Sequence, residues 1–447
     1  MVACSRPLAS WFASNPGIKL SILSAQISDG SALDRAFYTG LLLLGLIVLS
    51  KRLASVKQQL CYCWPLVLFV LYCFVSLAWS DFPAVAFKRL ARLIGDWVMI
   101  LIIWSDPRPL ITLRRLLART SYTLIPLSVL LTKYSSLGRY YSYWTGDTVY
   151  IGVTDNKNTL GAICLLFGIA SIWQLLNLLS NGPYIVHRRR QVTVHVVLLS
   201  MIIYLLAKSD SVTALTCGLL VASVLVALRI VLRKKSILVH ALLVAVVTVP
   251  TLVALGGIMP EMLQAMGRNS TLTDRTLIWQ WVVKLVPNNW VGAGYSSFWL
   301  GPRLDEMIVN VTHVWIPNQA HNGYLEIFAN LGWLGVGLLG IVIFWGYGRI
   351  IRLWREGSPV GDLMLAYFLV GVITNLSEAS FFRNSVPAWL FFMMAVTMPV
   401  IREVRSMARP IRTRLWNRET TQVEGQYACN YGTSKLAFRN SVDMSAT

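Results

Sequence analysis

Residues 323–346 read GYLEIFANLGWLGVGLLGIVIFWG, and after Glu326 no charged residue follows until Arg349. A helix needs ~20 mostly apolar residues to cross a bilayer. A soluble helix keeps a polar face, and this stretch has none. Working outward, further apolar stretches lie at about 35–50, 60–79, 83–104, 117–133, 159–180, 192–207, 211–231, 236–258, 361–380 and 385–401. A weak additional one lies near 8–25. The 447 residues are 55% hydrophobic and 13% charged, against roughly 25% charged in soluble domains. The pattern predicts an all-α integral membrane protein with about eleven to twelve transmembrane helices.

The net charge is +20, and its distribution excludes a nucleic-acid reading. Lys and Arg gather in alternate loops, at 51–57, 108–119, 188–190, 229–235 and 349–355, and in the stretch from 402 onward. Cytoplasmic loops carry such an excess, so these loops and the C-terminus are expected inside. The other loops are then outside. Two of them are long: 134–158, rich in Tyr and Trp, and 259–322, rich in Trp, Gly and apolar residues. The second is too apolar for disorder and is expected to fold against the outer membrane surface. The chain divides into an N-terminal segment 1–34, a polytopic domain 35–401 with the loop 259–322, and a basic cytoplasmic tail 402–447. Trp11, Pro16, Lys19 and Asp29 interrupt any signal-like apolar run in 1–33, so the spans themselves are expected to direct the chain to the membrane. Seven cysteines show no metal-ligand spacing, and no HExxH or paired-carboxylate motif suggests a metal. No cofactor is expected.

Three clusters can carry chemistry. Lys88, Arg89, Arg92 and Asp96 open the third span. Positions 88, 92 and 96 share a helix face, and ionisable groups within a span normally face a cavity or partners. Asp96 is placed to pair with Arg92, which leaves positive charge suited to a diphosphate headgroup. In the long loop, Thr273 reads as an N-cap, Asp274 as a first-turn acid and Pro287 as a stop. Ile278, Trp281, Val282 and Leu285 form the apolar stripe of an amphipathic helix. Arg275 falls on the stripe side, and a cation there needs an anion. At the loop's end, His321 is placed as a general base at the outer boundary, with Asn322 and Glu326 four apart, so that one can orient the other. Lys157 and Asn158 read as helix-opening residues, and Asp210 and Glu378 lie near span ends.

The stretches GRNSTLTDRTLIW (267–279), NNWVGAGYSSFW (288–299) and AHNGYLEIFANLGWLG (320–335) resemble the signature loop of the O-antigen ligase/polymerase superfamily. IGVTDNKNTLG (151–161) is similar to a stretch of its exopolysaccharide-polymerase-like members. In order and spacing the likeness covers about residues 80–400. It implies a GT-C-like membrane fold and a metal-independent, inverting glycosyltransferase in the bacterial inner membrane, with its large loop periplasmic. The implied donor is an undecaprenyl-diphosphate-linked oligosaccharide, and the acceptor a further glycan or lipid A core. By that likeness His321 is the catalytic base. The likeness also puts diphosphate binding on Arg275 and on a basic residue at the outer end of an early span, Arg89 or Arg92; Arg268 and Lys88 are expected to join them, with Asn322, Tyr324 and Glu326 in support. Two departures stand out: Asn269 replaces a frequent Asp, and Asp274 a frequent Gly. A carboxylate beside Arg275 would weaken its pull on an anion.

Two readings compete with a transferase. One is a transporter or flippase for polysaccharide, or a protein like a bicarbonate transporter, and the other is a non-catalytic scaffold. Transporters often show inverted repeats and broken helices near the midplane. No repeat is visible, and the candidate charges gather at one boundary. The partners expected are membrane lipids and, beside a polymerase, a chain-length regulator.

Overall fold

The computed structural model describes residues 32–141, 146–180, 188–230, 240–241, 244–245, 248, 271–312, 316–358, 360–384 and 386–399. The N-terminal segment up to residue 31, the weak span near 8–25, most of the span 236–258, the loop stretch 259–270 with Arg268, and the tail 402–447 lie outside the described residues. Every other apolar stretch is helical in whole or in part. The helices are α1 (Ala32–Ser50), α2 (Leu53–Tyr62), α3 (Trp64–Val75), α4 (Pro83–Trp104), α5 (Pro109–Tyr134), α6 (Lys157–Ser180), α7 (Arg188–Ser209), α8 (Val212–Ile230), α9 (Thr271–Leu285), α10 (Pro302–Met307), α11 (Gly323–Arg355), α12 (Gly361–Thr374) and α13 (Pro387–Val396). One antiparallel ribbon, β1 (Arg139–Tyr141) with β2 (Thr148–Tyr150), lies between α5 and α6. Among the described residues the remaining regular structure is helical.

Among the described residues, five helices, α1, α6, α7, α8 and α11, are long and apolar enough to cross a membrane, or six if α2 and the stretch Trp64–Trp79, bent by 87°, form one broken span. The other described apolar stretches differ from these in two physical ways. Helix α4, with 22 residues, carries Lys88, Arg89, Arg92 and Asp96, and α5 carries Arg114, Arg115 and Arg119. Helices α12 and α13 have 14 and 10 residues. At 1.5 Å per residue these reach only ~20 Å and ~15 Å, short of a ~30 Å hydrocarbon core. They lie inside the bundle: every residue of α12 is buried. It packs against α13, α8, α11 and α6.

Proline sets several of these starts. Pro65, Pro83, Pro109 and Pro387 occupy the first turns of α3, α4, α5 and α13, where the missing N–H costs nothing and the fixed φ favours the helix. At the C-terminal end of α11, Arg349 is buried, and its guanidinium donates to the carbonyls of Tyr62 (3.2 Å), Val396 (3.3 Å) and Met398 (2.6 Å). It thereby ties α2 and α13 to α11.

Helix α11 is broken at Gly332, where φ is 64° and ψ −165°. The groups freed by the break are met by the loop segment 288–293. Ala293 N–H donates to Ala329 O (3.0 Å), Trp333 N–H to Asn289 O (2.8 Å) and Leu334 N–H to Trp290 O (3.1 Å). The Tyr72 hydroxyl donates to Leu331 O at 3.0 Å. Two stretches singled out by sequence, NNWVGAG and FANLGWLG, are thus one unit: a helix break and the loop that satisfies it. A Cβ at position 332 would overlap the Trp290 backbone, and φ is positive there. We therefore expect Gly332→Ala to cost about 2 kcal/mol or more, seen as a lowered thermal unfolding midpoint in lipid nanodiscs. An unchanged midpoint would contradict this account of the break.

Candidate active site

The site forms where the loop, the start of α11 and the segment after α12 meet. Asn322 caps α11, its side chain accepting from the N–H groups of Tyr324 (3.0 Å) and Leu325 (3.1 Å). Gly323 N–H donates to Asn375 O at 2.8 Å, and any side chain at 323 would run into Asn375. This close approach brings the end of the loop beside the segment 375–386. His321 has φ 50°, a conformation that costs a non-glycine residue of order 1 kcal/mol. Such outliers persist where the surroundings over-determine them.

Helix α12 stops at Thr374, and the described residues 375–384 that follow are not helical. Asn375 organises the break, its Oδ1 accepting from the N–H groups of Ser380 (2.8 Å) and Phe381 (3.1 Å). Glu378 projects from this segment. Its Oε2 lies 3.3 Å from His321 Nδ1. Its Oε1 accepts from Asn158 Nδ2 at 3.0 Å and from Arg275 Nη2 at 3.4 Å. Arg275 also donates to Ser377 O at 2.8 Å. The side chains of His321 and Glu378 are 20% and 21% exposed, so both can be reached from solvent. Gln319 approaches the same ring nitrogen, its Nε2 lying 3.3 Å from His321 Nδ1. Its Oε1 accepts from Arg383.

Beside this cluster is a cavity of about 270 Å³. Its charged lining consists of Arg89, Arg92, Arg383 and Glu326. Arg89 donates to Ser296 O (2.6 Å) and Oγ (3.1 Å), and Arg92 lies 4.1 Å from the centre of the Tyr38 ring. Glu326 is committed to structure: it accepts from Trp299 Nε1 (2.9 Å), Ala320 N–H (2.9 Å) and Asn330 Nδ2 (3.3 Å). Three guanidinium groups and one carboxylate line the cavity, with the buried Asp96 near enough to act on Tyr295; the lining itself is net positive, which favours an anion. Tyr295 is buried, and burial pushes its phenol well above the ordinary tyrosine range. It stays protonated and donates to Phe382 O at 2.9 Å. The buried Oδ1 of Asn384, also in the wall, has no donor.

The sequence-predicted residues divide accordingly. On α4 the residues lining the cavity are Arg89 and Arg92, whereas Lys88 is exposed and outside the lining; the face in use is i, i+3 rather than i, i+4. Arg275 does meet an anion, Glu378, and lies outside the cavity lining. The stripe of α9 is confirmed by Ile278 and Val282, both fully buried. Asn322 and Glu326 do not orient one another. One caps α11 and the other ties Trp299 and Ala320 to it, while Tyr324 donates to Val372 O at 3.0 Å. The orienting carboxylate beside His321 is Glu378. Asn156, not Asn158, caps α6, accepting from Thr159 N–H at 2.8 Å; Asn158 reaches Glu378 instead. Lys157 pairs with Asp210 at 3.7 Å. Sequence reasoning missed Arg383, Gln319 and Asn384. The available signal was a charged residue interrupting the apolar run SEASFFRNSV (377–386). Among the described residues, no group of three or more His, Cys, Asp or Glu is placed to hold a metal ion.

Residues 195–340 match the model of a family described as O-Antigen ligase. Over that stretch, about a third of its length, the chain is similar to the O-antigen ligase family. The matched stretch runs from within α7 into α11 and so includes Arg275 and His321, while Arg89, Glu378 and Arg383 fall outside it. No curated protein matches the chain. The O-antigen ligase family is a membrane family, and this likeness points to a glycosyl-transferring ligase or polymerase role.

The tie made by Glu326 can be tested directly. Glu326→Ala strands two buried donors, Trp299 Nε1 and Ala320 N–H, at roughly 1–3 kcal/mol each. We expect a clear fall in the thermal unfolding midpoint, larger than that of an exposed control such as Glu306→Ala. Equal effects of the two substitutions would contradict the structural role of Glu326.

Proposed function

We propose that this protein transfers glycan from undecaprenyl diphosphate to a second glycan or to lipid A core, on the periplasmic face of the bacterial inner membrane. It does so as an O-antigen ligase or as an O-antigen or exopolysaccharide polymerase. The observation that carries this reading is the His321–Glu378 pair standing beside a cavity walled by three arginines. The family likeness supports the reaction class.

With its Nδ1–H given to Glu378, His321 presents the Nε2 lone pair. That nitrogen takes the proton from an acceptor hydroxyl as its oxygen attacks the anomeric carbon of the donor. The bond from that carbon to the diphosphate oxygen breaks, and the leaving group takes the electron pair. Attack opposite the leaving group inverts the anomeric centre. The developing negative charge falls on the diphosphate, which Arg89 and Arg92, with Arg383, neutralise. Diphosphate is a good leaving group, so guanidinium charge takes the part a metal plays elsewhere. Arg275 is already engaged by Glu378 and Ser377 O, so we assign it to holding the carboxylate rather than the diphosphate. Arg268 lies outside the described residues, and Lys88 is exposed and outside the cavity lining.

The test uses purified protein in lipid, undecaprenyl-diphosphate glycan, and either lipid A core or further donor glycan as acceptor, without added metal. Release of undecaprenyl diphosphate with a lengthened product is expected. It should fall about 10²–10⁴-fold in His321→Ala and by at least tenfold in Glu378→Gln, with unfolding midpoints confirming folded variants. The acceptor consumed separates ligase from polymerase. Folded wild-type protein that transfers to neither acceptor would move the reading to transport.

A further inference from the structure

His321 Nδ1 has two suitors and can serve only one. Glu378 Oε2 lies at 3.3 Å and only accepts; Gln319 Nε2 lies at 3.3 Å and only donates. The orientation of the Gln319 amide is fixed by Arg383, whose guanidinium donates to Oε1 and leaves the NH₂ group facing the ring. The two contacts therefore select opposite tautomers. With Nδ1 accepting from Gln319, the ring proton sits on Nε2, and that nitrogen is no base. With Nδ1–H donated to Glu378, Nε2 carries a lone pair. Among the described residues, Arg275 of α9 and Asn158 of α6 also face this pair, both bound to Glu378.

Arg383 also lines the anion cavity with Arg89 and Arg92. Its remaining contacts, to Ala379 O at 3.3 Å and Asn318 O at 3.4 Å, are long and neutral. A phosphate oxygen is a stronger partner for a guanidinium than a carboxamide or a backbone carbonyl. We propose that Arg383 and Gln319 are positioning residues that couple anion occupancy of the cavity to the tautomer of His321. With the cavity empty, Arg383 holds Gln319 against Nδ1, and the base is masked. A diphosphate draws Arg383 away, Gln319 loses its anchor, and Nδ1–H turns to Glu378. His321 thus becomes a base only when a donor headgroup is in place, which protects the site from proton abstraction without a donor. The coupling rests on the transferase reading for its purpose, but not for its detection.

The experiment is nitrogen NMR of the full chain in nanodiscs at mildly alkaline pH, with labelled histidine and the His321 signals identified by their loss in His321→Ala. The probe is inorganic pyrophosphate, its binding followed by calorimetry on the same sample. The wild type is expected to move from the Nε2–H towards the Nδ1–H pattern as pyrophosphate binds. Gln319→Leu and Arg383→Met should each show the Nδ1–H pattern before any pyrophosphate is added. Two variants on different segments keep the test alive if one does not fold. Pyrophosphate that does not bind, or binds without moving the wild-type signals, overturns the coupling. So does an Nε2–H pattern in a folded Gln319→Leu protein. Glycan transfer is scored separately: a tautomer switch without transfer sinks only the transferase reading, and transfer with a fixed tautomer sinks only the coupling.

Discussion

The carboxylate of Glu378 holds four parts of the chain together through two oxygens. Asn158 brings the start of α6, Arg275 brings the loop helix α9, and His321 brings the entry to α11, all to the segment that follows α12. A charge this sheltered needs compensating partners, and removing one leaves the others exposed to the desolvation cost. Position and charge are therefore linked here. Arg275 fixes where α9 starts, Ile278 and Val282 press the rest of α9 into the loop core, and the carboxylate so neutralised is aimed at one ring nitrogen of His321.

The site exists because several helices stop short or break. Backbone that leaves a helix within an apolar bundle must find its hydrogen bonds inside the protein. Three asparagines do much of that work. Asn330 Oδ1 accepts from the N–H groups of Ser297 and Phe298, Asn375 closes the turn after α12, and Asn322 caps α11. Gly332 gives the break in α11 its backbone conformation, and segment 288–293 fills it. Short helices and irregular strands of chain then place Glu378, Arg383 and Ser296 where continuous helices would have presented only apolar side chains.

Much of this was legible in the sequence. The apolar stretches located the helices, and the stripe 278–285 with Pro287 located α9. Arg275 on its buried side announced an anion, which is Glu378, and the sequence also singled out His321, which meets the same carboxylate. The rest was hidden for identifiable reasons. The stretches 361–380 and 385–401 read as two spans, the first running on through residues 375–380, which are not helical. Glu378 thus looked like a residue near a span end rather than the partner of a histidine 57 positions earlier. Spacing of four residues suggested that Lys88 and Arg92 act together. Packing of α4 against the loop instead brings Arg89 and Arg92 to the cavity, where Arg89 meets Ser296. Local pattern shows which residues share a helix face, but not which face a distant loop will cover.

A double-mutant cycle between His321 and Glu378, read on glycan transfer by folded protein, tests the central claim most directly. If Glu378 acts by holding His321, the effects are not additive. Glu378→Gln should then cost little once His321→Ala is in place. Equal losses from Glu378→Gln in the presence and absence of His321 would contradict the account and give the carboxylate a separate role.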